Sequence, residues 1–285
     1  MSPFRPTTPP RKVWIDGELL APDDAVIAFD DHGITVGDGA FETVRLVDGR
    51  PFALTRHLER LRASVAALAL PALDLVRVRG AVDEVLAGPG RGGFLRITVT
   101  AGRAPLGSPR GDAPPTVIVA VRPGEVRLEP TTVVVTPFTR NERGALAGIK
   151  STSYAENVVA LEGARHAGAS EALFANTAGL LCEGTGSNVF VVIDDELRTP
   201  PLSSGCLAGV TRALILELVA DAVEADIPMT DLPRASEMFL ASTAREVQPV
   251  SAVDGVALPS CPGPWTARAR RAWLNAYGDG ATLDP

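Results

Sequence analysis

The apolar residues of this chain change period several times, and the changes divide it into two blocks that each mix strand with helix. Val13-Trp14-Ile15-Asp16-Gly17-Glu18-Leu19 alternates and turns at Asp16-Gly17, and Phe41 to Gly49 repeats the alternation and ends on Asp48-Gly49. Asp-Gly between alternating apolar residues signals a hairpin, because both residues tolerate the positive φ that a two-residue turn requires. From His57 the spacing becomes helical, with Leu58, Leu61, Val65 and Leu68 recurring at threes and fours, and Leu75 to Leu86 predicts a second helix. Phe94 to Thr100 and Thr116 to Val121 return to strand composition, and Arg122-Pro123-Gly124-Glu125 then reads as a linker. Beyond it the pattern predicts strands at Thr131 to Val135, Glu171 to Phe174, Leu180 to Cys182, Val189 to Ile193 and Met238 to Ala241. Helices are predicted from Ala155 to His166, from an opening near Val210, and after a Pro/Gly-rich approach at Pro259 to Pro264. The economical reading is an α/β chain of two domains. Residues 1–12 form a flexible N-terminus, 13–124 a first α/β domain, 125–134 the linker and the start of the second domain, and 135–285 the second domain.

Composition narrows the class of function. A net charge of -7 argues against a nucleic-acid partner, since phosphate binding wants clustered cations and the arginines here are scattered. Arg268, Arg270 and Arg271, the densest group, read as a solvated helix face. Cys182, Cys206 and Cys261 are odd in number and show no Cys-x-x-Cys spacing, so no disulfide framework or zinc knuckle is expected and a reducing compartment, the cytoplasm, fits. No stretch approaches the roughly 20 apolar residues of a membrane span, so no membrane partner is expected.

The cations carry the sharpest signal. Of 27 basic residues only Lys12 and Lys150 are lysine. An amine can lose its proton and act as a base or form a Schiff base, which a guanidinium cannot, so Lys150 is either the reactive residue or a surface lysine not yet replaced. Familiar alternatives fail on spacing. Neither lysine sits in a phosphate-binding loop; His32, His57 and His166 stand singly, so no zinc site is expected; Tyr154 follows Lys150 instead of preceding it as in the Tyr-x-x-x-Lys dyad; and no Gly-x-Gly-x-x-Gly opens a helix. Gly184-Thr185-Gly186-Ser187-Asn188 fails as a nucleophile elbow. Around the lysine, Glu183 at a strand end is either a turn acid or a carboxylate that meets a flat ring edge-on. Gly209-Val210-Thr211 is either an ordinary helix start or an anion site built from backbone N–H groups and a hydroxyl. Ser242-Thr243 supplies phosphate ligands or simple turn residues.

Taken in order, these segments resemble the fold-type IV pyridoxal-phosphate enzymes, the family of branched-chain and D-amino-acid aminotransferases and aminodeoxychorismate lyases. The matching motifs are Gly37-Asp38-Gly39-Ala40-Phe41-Glu42-Thr43, His57-Leu58-Glu59-Arg60-Leu61, Lys150, Glu183 through Asn188-Val189-Phe190, Gly209-Val210-Thr211-Arg212, and Ser242-Thr243-Ala244-Arg245-Glu246 with Pro249-Val250. The resemblance implies a smaller N-terminal α/β domain and a larger C-terminal pseudo-barrel domain that binds pyridoxal 5'-phosphate. It implies that Lys150 forms the Schiff base and shuttles the substrate proton, that Glu183 keeps the pyridine nitrogen protonated, and that Arg60, Val210, Thr211, Ser242 and Thr243 hold the phosphate. Arg60 taken alone is a helix-surface cation, and Tyr154 is either a site wall or a core residue.

For the substrate, the resemblance offers Phe41, Arg96, Arg103 and Tyr154. Arg96 in Phe94-Leu95-Arg96 is similar to the branched-chain pattern, whereas Ala101-Gly102-Arg103 lacks the histidine of the D-amino-acid type and departs from the Arg-Gly-x-Gly stretch of the lyases. Phe41 stands where several relatives carry tyrosine and favours an apolar side chain. The expected reaction moves an amino group between an amino acid, branched-chain or D, or an (R)-amine, and a 2-oxo acid. The alternative is 4-amino-4-deoxychorismate lyase, which forms 4-aminobenzoate and pyruvate. A homodimer is expected from the family habit.

Overall fold

The computed structural model describes residues 12–87, 92–278 and 280–285. The expected flexible N-terminus lies outside these residues apart from Lys12, which is exposed. The chain divides into two compact units. One comprises the described residues up to Glu125 together with Ile149–Ser153 and Leu283–Pro285; the other comprises Val126–Gly148 and Tyr154–Thr282. The lysine segment is thus counted with the first unit although the chain on either side of it belongs to the second.

In the first unit the elements are β1 (Val13–Ile15), β2 (Glu18–Leu20), α1 (His32–Thr35), β3 (Gly39–Val47), β4 (Arg50–Pro51), α2 (Leu54–Ala67), α3 (Leu75–Leu86), β5 (Gly92–Thr100) and β6 (Val117–Arg122). The strands form one antiparallel sheet of six in the order β2-β1-β6-β5-β3-β4. Asp16-Gly17 and Asp48-Gly49 make the two hairpin turns, all four residues at positive φ as the sequence signal requires. Register then sorts the side chains. Glu42 lies opposite Ile97 and Val44 opposite Leu95, on the face that packs under α2 and α3, whereas Phe41 opposite Thr98 and Thr43 opposite Arg96 lie on the other face. Helix α2 starts at Leu54, before the first periodic residue His57, because Ala53 adopts a left-handed conformation and the Asp284 carboxylate accepts the Thr55 N–H at 2.8 Å.

The second unit contains β7 (Thr131–Arg140), α4 (Ala155–His166), β8 (Glu171–Asn176), β9 (Leu181–Gly184), β10 (Asn188–Ile193), β11 (Glu196–Thr199), α5 (Val210–Leu218), β12 (Val223–Glu224), β13 (Glu237–Ser242), β14 (Glu246–Val253), β15 (Val256–Ala257) and α6 (Pro264–Tyr277). Its mixed sheet of nine runs β12-β11-β10-β13-β14-β7-β8-β9, with β15 paired to β14. Every residue of β10 is buried, and β8 and β13 are nearly so, as the apolar runs between their polar ends demand of strands covered on both faces. Helix α4 packs on β7 and β8, and α5 and α6 on β13. Most predicted strand limits shift by one or two residues, and two larger or more telling shifts lie in this unit. β7 continues past Val135 through Pro137 to Arg140, and its pairing with β8 slips between Val135 and Thr139, which accommodates a residue without a backbone N–H. Glu183 sits inside β9, opposite Phe174, and not in the loop after it. No helix among the described residues is long and apolar enough to cross a membrane.

Candidate active site

In the first unit, residues 150–152 pair with the start of β3. The Phe41 N–H donates to the Lys150 carbonyl at 2.9 Å, the Thr152 N–H to the Gly39 carbonyl at 2.8 Å, and Ala40 bridges Ser151. Gly39 has no alternative here, because a Cβ on it would lie 2.5 Å from the Val99 carbonyl oxygen. Gly37 takes a φ of +71° and offers its carbonyl to the hydroxyls of Thr152 and Ser153. The lysine backbone is thereby fixed to the sheet, and Lys150 Nζ stands 4.4 Å from the centroid of the Phe41 ring. The Arg96 guanidinium packs on the same ring at 3.3 Å, a cation–π contact. Arg60, on α2, is gripped by Glu42 through Nε at 2.8 Å and a terminal nitrogen at 2.7 Å. Glu42 also accepts from His57 Nδ1 at 2.7 Å.

That cluster is electrostatically one-sided. Burial pushes the Glu42 carboxyl up, but the Arg60 charge and the hydrogen bonds from Arg60 and His57 outweigh it and hold the group at about 2. Burial lowers His57, so its neutral ring donates through Nδ1 and the carboxylate retains its full charge for the arginine. His57 is therefore a core histidine. Arg103, by contrast, forms a two-point ion pair with Asp30 at 2.9 and 3.0 Å and is 65% exposed. It is not brought to Phe41 with Arg96.

In the second unit, Glu183 and Tyr154 belong to one polar network. Glu183 accepts from the Leu207 N–H at 2.9 Å, and Arg140 Nε lies 3.4 Å from its other oxygen. Arg140 stacks over Phe174 at 4.2 Å and donates to Asn157 Oδ1 at 3.0 Å. The Thr185 carbonyl then accepts both Asn157 Nδ2 at 2.6 Å and the Tyr154 hydroxyl at 2.9 Å. Burial raises the Tyr154 phenol, which stays protonated as the donor of that bond. Val210 and Thr211 open α5 behind Gly209, which supplies no capping side chain, so the first-turn N–H groups keep their donor character. A side chain at Gly209 is excluded: its Cβ would fall 1.9 Å from Asn188 Oδ1. Ser242 ends β13 and Thr243 follows in the turn to β14, both half-buried. Cys182 and Cys206 are buried with thiols pushed up by burial, which makes them inert packing groups.

Glu42, Arg140, Asn157 and Glu171 are the polar residues that sequence reasoning did not single out. Only Glu42 carried a signal, its place in the Gly37 to Thr43 motif. The donor set suits the group the family uses. The first unit by itself holds an amine and a carboxylate-braced guanidinium, and the second by itself a carboxylate, a helix start without a side-chain cap and two hydroxyls; each set is of a kind that a phosphorylated, nitrogen-protonated aromatic aldehyde can use.

The sequence matches the family Amino-transferase class IV over residues 39–253. It is 32% identical over 256 residues to a putative branched-chain-amino-acid aminotransferase of Methanocaldococcus jannaschii, covering 86% of this chain and 88% of the relative. It is 30% identical over 274 residues to a D-alanine aminotransferase of Bacillus licheniformis, covering 93% and 96%. The crystal structure of Escherichia coli branched-chain amino acid aminotransferase superposes with a TM-score of 0.90 at 26% identity, covering 97% of this chain and 99% of the other. With the fold, the motif order and the donor set in agreement, the chain belongs to the class IV aminotransferases, enzymes of fold type IV that depend on pyridoxal phosphate.

Proposed function

We propose that this enzyme carries pyridoxal 5'-phosphate on Lys150 and moves an amino group between a small or branched amino acid and a 2-oxo acid. The observation that carries the reading is the backbone pairing that sets Lys150 Nζ beside Phe41. When bound, the cofactor supplies an electrophilic aldehyde and a ring that accepts an electron pair. Lys150 would hold the cofactor through its amine, and the same amine would serve as the base that moves the proton of the substrate Cα. Glu183, with Arg140 Nε at 3.4 Å, would face the ring nitrogen and hold its proton. Arg60, braced by Glu42, would pair with the phosphate, together with the Val210 and Thr211 N–H groups and the Ser242 and Thr243 hydroxyls. Tyr154, at the start of α4, would line the ring.

Arg96 is the better anchor for a substrate carboxylate than Arg103. It shares the Phe41 ring with Lys150, whereas Arg103 is committed to Asp30. Phe41 in place of a tyrosine favours an apolar substrate side chain. A homodimer fits the exposed Val26, Phe29 and Leu106, which offer apolar area for a second copy. The free thiols fit a cytoplasmic enzyme.

Borohydride treatment of the cofactor-loaded protein followed by peptide mass mapping tests the anchor, with Lys150 expected as the modified residue. A panel of L-amino acids, D-amino acids, (R)-amines and aminodeoxychorismate tests the substrate. Pyruvate and an aromatic amine released from aminodeoxychorismate with no amino acceptor present would replace the transaminase reading with the lyase.

A further inference from the structure

We propose that the buried pair Glu171 and Arg245 is a positioning device that fixes, from beneath, both the Thr185–Ser187 turn beside Glu183 and the Ser242–Arg245 turn. The inference rests on the preceding reading of Glu183, beside the first turn, and of Ser242 and Thr243, in the second, as cofactor-holding residues. Glu171 opens β8 and is 1% exposed. One carboxylate oxygen accepts the Thr185 N–H at 2.9 Å and the Thr185 hydroxyl, and the other accepts the Ser187 hydroxyl at 2.9 Å. The turn is therefore laid over a single anion. Gly184 is required by this packing, since a Cβ there would lie 2.6 Å from Ser187 Oγ and 3.0 Å from the Glu171 carboxyl carbon. With its N–H and hydroxyl turned inward to Glu171, Thr185 leaves its carbonyl to take the Tyr154 hydroxyl at 2.9 Å.

Arg245 reaches the same carboxylate from the other turn. A terminal nitrogen lies 3.5 Å from Glu171 Oε2 and donates to the Ser170 carbonyl at 2.9 Å, and the Arg245 N–H closes the turn onto the Ser242 carbonyl at 3.1 Å. Arg245 is 7% exposed. A buried ion pair of this kind often adds no more stability than apolar residues of equal volume would. What an apolar pair cannot do is direct three polar groups of one turn onto a carboxylate that also meets the arginine of the other turn, and that is the role assigned to it.

The test compares full-length wild type with Glu171→Gln, Thr185→Val and Arg245→Lys. Three quantities are read: the dissociation constant for pyridoxal phosphate, the circular dichroism of the bound-cofactor band, and the melting temperature of the cofactor-free protein. Glu171→Gln is expected to weaken cofactor binding roughly 10- to 100-fold, as loss of an orienting partner does elsewhere, and to change the dichroic band. It should also lower kcat while the KM for the amino donor stays within about twofold. Thr185→Val should move the same readouts in the same direction by less. Should Glu171→Gln fail to fold, Thr185→Val and Arg245→Lys decide on the same measurements. A drop in melting temperature with cofactor affinity and dichroism unchanged would make the pair a packing feature and overturn the inference. A wild-type chain that acquires no Lys150-dependent visible band would overturn the functional reading first, and this inference with it.

Discussion

In the first unit cations gather about an enclosed anion; in the second an anion, Glu183, and its arginine are enclosed to the same degree, beside a second anion, Glu171, that is fully buried. Lys150, Arg60 and Arg96 gather around Phe41 and Glu42, and Glu42 is wholly enclosed. Glu183 is backed by Arg140, which is largely enclosed, and the neighbouring turn by Glu171 with Arg245. The difference shows two ways to hold a charged group still near water: a buried counter-charge fixes direction, and a hydrogen-bonded backbone fixes position. The backbone of Lys150 is held in the second way, which suits the bond-exchanging role proposed for its amine.

Removing Lys150 strikes the comparison hardest. Lys150→Ala should lose the covalent visible band and at least roughly 10⁴-fold in activity, the upper range for a lost general base, with a melting temperature near that of wild type. A retained band would break the assignment. Next, Glu42→Gln leaves Arg60 without its counter-charge and should cost roughly 3–5 kcal/mol of stability, read by denaturant unfolding. The same carboxyl sets a pH dependence. Held at about 2 against an ordinary 4.5, it stabilises the fold fully above pH 4.5, and that contribution fades as pH falls from 4.5 toward 2. The acid limb of the stability curve should be shallower in Glu42→Gln, and an unchanged limb would show that the depression is not real.

Glu183→Gln should leave stability near wild type and reduce activity by roughly 10²–10³-fold, the range for losing one preorganised electrostatic contact. Equal activity in the two proteins would remove Glu183 from the chemistry and, with it, the second half of the comparison. The smallest effect separates the arginines. Arg96→Ala should raise the KM for the amino acid, whereas Arg103→Ala, which breaks only an exposed pair with Asp30, should leave KM and melting temperature unchanged. A reversal would move the carboxylate anchor to the loop after β5.

Local chemistry was legible in the chain wherever it acted alone. Asp16-Gly17 and Asp48-Gly49 announced their hairpins, and α3 begins at its expected residue because Asp74 caps it by accepting from Val76 and Arg77. Helices α4 and α5 also open where expected. Asp254-Gly255 makes another two-residue hairpin turn, but β15 after it is only two residues long, too short to show alternation. The start of α2 could not be read, because its acceptor, Asp284, lies 229 positions away. The site divides in the same way. Lys150 and Glu183 stood out through rarity and motif, whereas Arg140 and Glu171 owe their place to partners brought near by the sheet, Glu183 and Arg245, and no spacing rule reaches that far.

The pairing of residues 150–152 with the start of β3 has a kinetic side. The hydroxyl of Thr152 and the carbonyl of Gly37 that it meets are 115 positions apart. Contacts of such separation form late, after the entropy of closing the intervening loop has been overcome. A nascent or partly folded chain therefore carries its lysine amine in no defined place, and with the role proposed for Lys150 covalent capture of the cofactor would be a timer that rings only when the first sheet has received this segment.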